Sequence, residues 1–348
     1  MDMIAQMPLP ASVLLFCVAA AAVWWAGGRL SIDVAGFADR VGMSQGFAGM
    51  LLLGGITSLP EIATAGSAAL TGSPDLAVSN LLGTASINVL LLVVADLLVA
   101  GAALTALSRS SSPILQGVLG MVLMTGVAGL AILGDQEMFG LGVGYGTTGL
   151  MIGCAGALWL ASRYERAPGW TVADDDGSGR EETEDEGPGR RIGALVAGIV
   201  LSATVILVAG FVLSQTGDGI ATASGIGTGM VGLVLVGLAT SLPELSSIRT
   251  ALRIKRFDLA IGDVMGTNLF NIAILFVVDL AYRKGPALGE AGRFEALAAL
   301  LAVAVMGLFL AGLLARRRDA LLRLGPASWA ILATYAAGLF VLSRIGAG

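Results

Sequence analysis

The sequence predicts an all-α membrane protein, ten transmembrane helices folded as two five-helix inverted repeats. Three observations carry this. Apolar residues make up 56% and charged residues 13% of the 348, with a mean hydropathy of +0.86, whereas a water-soluble domain is about a quarter charged. Ten apolar stretches approach the roughly 20 residues that span a bilayer. The chain also aligns with itself at an offset of 183 residues.

The stretches run over 9–28, 44–71, 75–101, 112–134, 138–162, 192–215, 225–252, 257–281, 293–315 and 326–345, each bounded by charge or turn residues. Asp2 precedes the first run with no basic cluster, and the run lacks a small-residue cleavage pattern, so a membrane helix is expected there and not a removable signal. Ten spans put both termini on one side. With that side outside, sixteen Lys and Arg fall in inside segments and only Arg283, Lys284, Arg293 and Arg344 outside. This asymmetry orients membrane proteins, so the expectation is a multi-pass protein of the inner membrane with both termini extracytoplasmic.

Three regions follow: a first half over 1–162, a cytoplasmic linker over 163–191 and a second half over 192–348. The linker carries an acidic run from Asp174 to Glu186 among glycines, the composition of a solvated connector. Asp174, Asp176, Ser178, Gly179 and Asp185 match places of an EF-hand loop. Flanking amphipathic helices are missing, however, and Glu181 fills a usually apolar place, so a calcium sensor is not adopted. The net charge of -5 traces to this linker and implies no nucleic-acid partner. The fifty glycines lie through the apolar runs, where they allow close helix packing.

Histidine is absent, and Cys17 and Cys154 lie in apolar runs without disulfide or zinc spacing. The remaining ligand chemistry is oxygen: carboxylates, amides, hydroxyls and carbonyls, the donors of hard cations. The repeat concentrates them. Thr57-Ser-Leu-Pro-Glu61 aligns with Thr240-Ser-Leu-Pro-Glu244, and the match runs without a gap through 57–97 and 240–280, identical at 16 of 41 positions. Each copy lies in the second and third helices of a five-helix half. Five is odd, so the second half enters the membrane in the opposite direction, the plan of transporters whose site lies near the midplane between halves.

Within each copy the proline lacks an N–H, so the carbonyls of Ile56 and Ala239 lose their helical partners and the helix must bend. Glu61 and Glu244 lie one turn beyond Thr57 and Thr240 on the same face. A charge at the middle of a span costs about 2.5–3.5 kcal/mol unless paired, which marks the two glutamates as functional candidates; protonated helix bridges are the alternative. Asn80, Thr84 and Asn88 are spaced by four, as are Asp263, Thr267 and Asn271, so each trio shares a helical face. Gly83 and Gly266 are expected to bring that face close to its neighbour. Asn80 and Asp263 fit helix-to-helix glue as well as ligands. Asp96 and Asp279, eight residues past each asparagine, fit solvated or paired groups at helix ends, with an ion or proton vestibule as the alternative. The two glutamates, amides and hydroxyls make an all-oxygen cage of charge about -2, suited to calcium or a group of sodium ions and less to magnesium.

These motifs resemble the cation/calcium exchanger superfamily, more closely its sodium/calcium exchangers, whose two alpha-repeats carry G-T-S-x-P-E and G-S-N-x-x-N/D. The resemblance implies the ten-helix exchanger fold, with the first and sixth helices sliding against an eight-helix core. It implies ion ligands at Glu61, Asn88, Glu244 and Asn271, with Thr57, Ser58, Thr240, Ser241, Thr84 and Thr267 as hydroxyl and carbonyl ligands. The chain departs from the pattern at Ala85, where asparagine is frequent, and at Asn271, where potassium-dependent relatives have aspartate. Asn271 thus argues against potassium cotransport, and two central carboxylates imply electrogenic exchange of one calcium for three sodium ions. The expected activity is secondary antiport of Ca2+ against Na+, with Ca2+ and Na+ as substrates, the bilayer as surroundings and no cofactor. A proton/calcium exchanger of the same fold is the nearest alternative. A passive channel could not accumulate ions uphill. An enzyme is not expected, since no nucleophile and base can be assembled and the signatures of intramembrane aspartyl proteases are missing.

Overall fold

The computed structural model describes residues 7–99, 103–108, 110–164, 191–223, 240–316 and 324–345. They are almost wholly helical: α1 (Leu9–Val41), α2 (Gln45–Thr57), α3 (Leu59–Leu70), α4 (Pro74–Leu98), the short α5 (Leu104–Leu107), α6 (Ser112–Leu133), α7 (Tyr145–Tyr164), α8 (Ile192–Ala223), α9 (Leu242–Arg253), α10 (Phe257–Tyr282), the short α11 (Ala287–Glu290), α12 (Arg293–Ala315) and α13 (Pro326–Ile345). Among the described residues the only bridge of extended backbone joins Glu137 and Gly144, in the loop before α7.

Seven helices are long and apolar enough to cross a bilayer, and the bent pair α2–α3 makes an eighth. At 20 residues α7 has the length, but its glycines and threonines leave it less apolar. The expected span over 225–252 is described only from Thr240 onward, and the acidic linker and its EF-hand-like run lie outside the described residues.

Two spans are longer than their apolar runs indicated. Arg29 closes the first run, yet α1 continues to Val41 because Arg29 Nε donates to Asp33 Oδ2, one turn away at 3.1 Å. That ion pair lets a fully buried carboxylate ride inside the helix, against Gly198 of α8. Likewise α8 reaches Ala223, well past the expected end at 215. At about 1.5 Å per residue both are near 50 Å long, beyond the roughly 30 Å of hydrocarbon, so they tilt or project from it.

Burial sorts the helices. The spanning windows of α4 and α10, the helices carrying the repeat amides, are 67% buried, against 22% for α1, 28% for α8 and 17% for α13. The first two are therefore central and the last three peripheral. Outward-facing Leu133, Ile152 and Phe340, each more than 60% exposed, give the rim a lipid-compatible surface. The peripheral α1 and α8 pack along each other, in part through a separate apolar cluster of Ala19, Val23, Ala209 and Leu213.

At the centre, α2 lies on α10 backbone to backbone. A Cβ added at Gly266 would sit 2.1 Å from the carbonyl oxygen of Met50, and one at Gly54 would sit 2.6 Å from the amide nitrogen of Thr267. Only glycine admits this approach. The close approach expected at Gly266 is present. For Gly83, its repeat counterpart, the corresponding neighbour falls within 225–239, outside the described residues. Along this contact α2 widens into a π-turn over Gly49–Leu53, a local irregularity common at functional sites.

Candidate ion-binding site

The helix break expected from Pro60 is present: α2 and α3 meet at Ser58 with a bend of 42°. Proline is the second residue of α3, where its missing N–H costs nothing. Pro243 holds the same place in α9, preceded by the turn residue Ser241. Each glutamate is therefore the third residue of a helix, in the first turn, where unpaired N–H groups and the helix dipole favour negative charge.

Glu61 and Glu244 are both fully buried, and none of their four carboxylate oxygens has a hydrogen-bond partner. The repeats face each other here, Glu61 beside Thr240 and Glu244 beside Thr57, with Glu244 in electrostatic reach of Glu61 and of Asp263. An unsatisfied buried polar atom costs about 1–3 kcal/mol and a charged one more, so four together at the protein centre describe a site shaped for a cation.

The central helices complete the surroundings. On α4 Thr84 and Asn88 are buried, and on α10 so are Asp263, Thr267, Asn268 and Asn271. Asn88 Nδ2 donates to Asn268 Oδ1 at 3.2 Å, joining the helices directly. Asn88 Oδ1, Asn268 Nδ2, both polar atoms of the Asn271 amide and Ser241 Oγ are buried without partners, further unspent oxygen and amide capacity. Thr57 and Thr267 place their hydroxyls 3.3 Å apart, and Thr57 Oγ1 donates to Asp263 Oδ1 at 3.4 Å. Ser58 is buried too, but its hydroxyl donates to its own helix at Gly54 O, 2.6 Å away, and its carbonyl accepts from Ile62 N.

The two residues that fitted both glue and ligand have separated. Asp263 is fully buried among the candidate ligands, whereas Asn80 is half-buried and makes no hydrogen bond with them among the described residues. Two participants went unrecognised in the sequence. Asn268 pairs with Asn88, and its signal was available: it is the repeat counterpart of Ala85, where the family pattern has asparagine. Ser247, one turn past Glu244, donates to Glu244 O at 2.9 Å and makes a short contact with Asp263 Oδ2. Among the described residues no three acidic side chains surround one metal position, so amides and hydroxyls have to supply most ligands.

Asp96 and Asp279 are not solvated helix-end groups, for both are buried. Asp96 Oδ1 accepts from Leu104 N at 2.6 Å, and its Oδ2 accepts from Gly325 N and Ser328 Oγ at 2.7 Å each. Asp279 repeats the pattern: Oδ1 accepts from Ala287 N at 2.7 Å, while Oδ2 accepts from Gly144 N at 2.9 Å and from the Thr147 hydroxyl. Each aspartate thus caps the short helix that follows its own helix and the N-terminus of a long helix from the other repeat, α13 for Asp96 and α7 for Asp279. With both carboxylates spent on helix N-termini, a paired, structural role replaces the vestibule alternative.

The profile of the sodium/calcium exchanger protein family matches residues 11–160 and 194–343, most of the chain, and its second stretch begins 183 residues after its first. This chain belongs to the sodium/calcium exchanger family. Relatives include the putative antiporter CaxA of Alkalimonas amylolytica, 26% identical over 290 residues, covering 82% of this chain and 86% of that one. The inner membrane protein YrbG of Escherichia coli (strain K12) is 28% identical over 232 residues, 65% of this chain and 66% of that one. Among solved structures, the sodium-calcium exchanger NCX_Mj soaked with zero Na+ and Ca2+ superposes with a TM-score of 0.69 at 15% identity, covering 97% of this chain and all of the other. The same exchanger soaked with 2.5 mM Na+ and 1 mM Sr2+ gives 0.68 at 17%, covering 94% and 97%. The fold is therefore shared, and this exchanger-family chain is a multi-pass membrane transporter by family, not an enzyme.

Proposed function

We propose that this exchanger carries Ca2+ against Na+ by alternating access, its cargo ions bound in turn between Glu61 and Glu244 near the membrane midplane. The observation that carries this reading is the set of four buried, unpartnered carboxylate oxygens at two repeat-related helix breaks. A protein that kept those charges without a cation would pay for them with no return in packing. Thr57, Thr240, Thr84 and Thr267, with Asn88 and Asn271, supply the neutral oxygens that calcium's six to eight ligands require. The relatives support the choice of ions: CaxA is described as an antiporter, and NCX_Mj as a sodium-calcium exchanger studied with Na+, Ca2+ and Sr2+.

The two halves, 1–162 and 192–348, run in opposite directions, ten spans in all, with both termini extracytoplasmic in the inner membrane. The reciprocal capping by Asp96 and Asp279 supports this plan, because contacts that recur with the halves exchanged are what a pseudo-two-fold relation produces. No resident cofactor takes part.

The test is 45Ca2+ uptake into proteoliposomes with Na+ and pH gradients imposed separately. An outward Na+ gradient at equal pH drives uptake in the wild type, and Glu61→Gln or Glu244→Gln lowers it at least a hundredfold. Uptake that follows only the pH gradient would assign the counter-ion to the proton. Wild-type uptake rates retained in both glutamine variants would end the reading of these residues as the site.

A further inference from the structure

The two halves of the site are not equivalent. At one repeat position the first half has Asn80, half-buried, and the second has Asp263, fully buried on the face of α10 that also carries Thr267 and Asn271. At another, Thr64 turns its hydroxyl back on its own helix, to Pro60 O at 3.0 Å and Glu61 O at 3.1 Å, while its counterpart Ser247 reaches across to Asp263 Oδ2. The second half therefore brings two carboxylates to the site, Glu244 and Asp263, and the first half brings one.

The hydroxyls of Thr57 and Thr267, 3.3 Å apart, both attend Asp263, one at its carboxylate and the other at its backbone carbonyl, 3.0 Å away. Facing this group, Glu244 keeps both carboxylate oxygens buried and unpartnered, aimed into the same space. Weak neutral donors beside carboxylate oxygen suit a hard cation of low charge. A charge count agrees, since a divalent ion between Glu61 and Glu244 leaves the third carboxylate for one monovalent ion.

We propose that Asp263, with Glu244 and the hydroxyls of Thr57 and Thr267, forms a sodium subsite distinct from the Glu61–Glu244 position, a deepening that rests on reading those glutamates as the cation site. The three carboxylates then match three sodium ions in charge. Asp263 is thereby a residue that sets sodium dependence more than calcium affinity.

The experiment measures ion binding to the purified full-length protein, without transport. Equilibrium 22Na+ binding is titrated with N-methyl-D-glucamine replacing sodium, and 45Ca2+ binding is titrated in sodium-free buffer. In Asp263→Asn the sodium half-saturation is expected to rise at least tenfold and the Hill coefficient to fall by close to one, while calcium half-saturation moves less than threefold. Ser247→Ala, a smaller change that keeps the carboxylate, is expected to shift sodium binding alone, by about threefold, and serves if Asp263→Asn does not fold. Equal weakening of both ions, or unchanged sodium binding, would overturn the subsite. Should the wild type bind both ions with this Asp263 dependence yet show no sodium-driven flux in vesicles, the antiport reading fails and the subsite stands.

Discussion

Replacing Asp279 by alanine removes one carboxylate and leaves three donors facing nothing: Gly144 N, Ala287 N and the Thr147 hydroxyl. All three are held by the starts of helices α7 and α11 and cannot swing to water without unwinding a turn. Each orphaned donor costs about 1–3 kcal/mol, so the variant is expected to lose roughly 3–6 kcal/mol. For a chain of this size that corresponds to a fall of roughly 10 °C in the thermal midpoint. Intrinsic tryptophan fluorescence or size-exclusion recovery after heating, in a mild detergent, reads the change. Asp279→Asn keeps one accepting oxygen and sets an amide donor against the remaining N–H groups, so it falls between the alanine variant and the wild type. Asp96→Ala behaves like Asp279→Ala, since Leu104 N, Gly325 N and Ser328 Oγ lose the same kind of partner. A midpoint within about 2 °C of the wild type would refute the clasp. An unchanged midpoint together with lost ion binding would restore the vestibule reading of these aspartates.

Two further expectations test the packing. Gly266→Ala sets a methyl group 2.1 Å from Met50 O, a backbone atom that cannot step aside, so α2 and α10 must separate; a loss of about 2–3 kcal/mol in thermal stability is expected. The same change at Gly156, where nothing lies within 4 Å, leaves stability and calcium uptake as they were. The ion pair between Arg256 Nη2 and Asp39 Oδ2, 2.6 Å long but more than a third exposed at both ends, contributes less than about 1 kcal/mol. Arg256→Ala therefore moves the thermal midpoint by no more than about 2 °C, and a larger shift would show that this pair holds α1 in place.

Much of this site was legible before any coordinates. The offset of 183 residues picks out Glu61 and Glu244 as equivalents, proline locates the break before each, and the four-residue spacing of Thr84 and Asn88 puts them on one face. These are local matters, set by covalent geometry and helical period, and they survive folding unchanged. The length of α1 was not legible, because a charged residue ends an apolar run on paper whether or not another charge one turn away neutralises it, as Asp33 does for Arg29. Nor was the part played by Asn268, whose counterpart in the first repeat is alanine, so the symmetry that exposed the other pairs was silent there.

The sequence by itself determined that this is an all-helical membrane protein with a repeated, oxygen-rich motif, because apolar content, period and self-similarity are properties of the chain. Tertiary structure alone decided that Asp263 enters the site while Asn80 stays at its edge, and that Asp96 and Asp279 clamp helices of the opposite repeat. In both cases the outcome depends on which donors arrive from segments far along the chain. A carboxylate surrounded by hydroxyls with an unpartnered neighbour is a place for an ion, whereas one filled by backbone N–H groups is a fastening. The residue type and its spacing are the same for both.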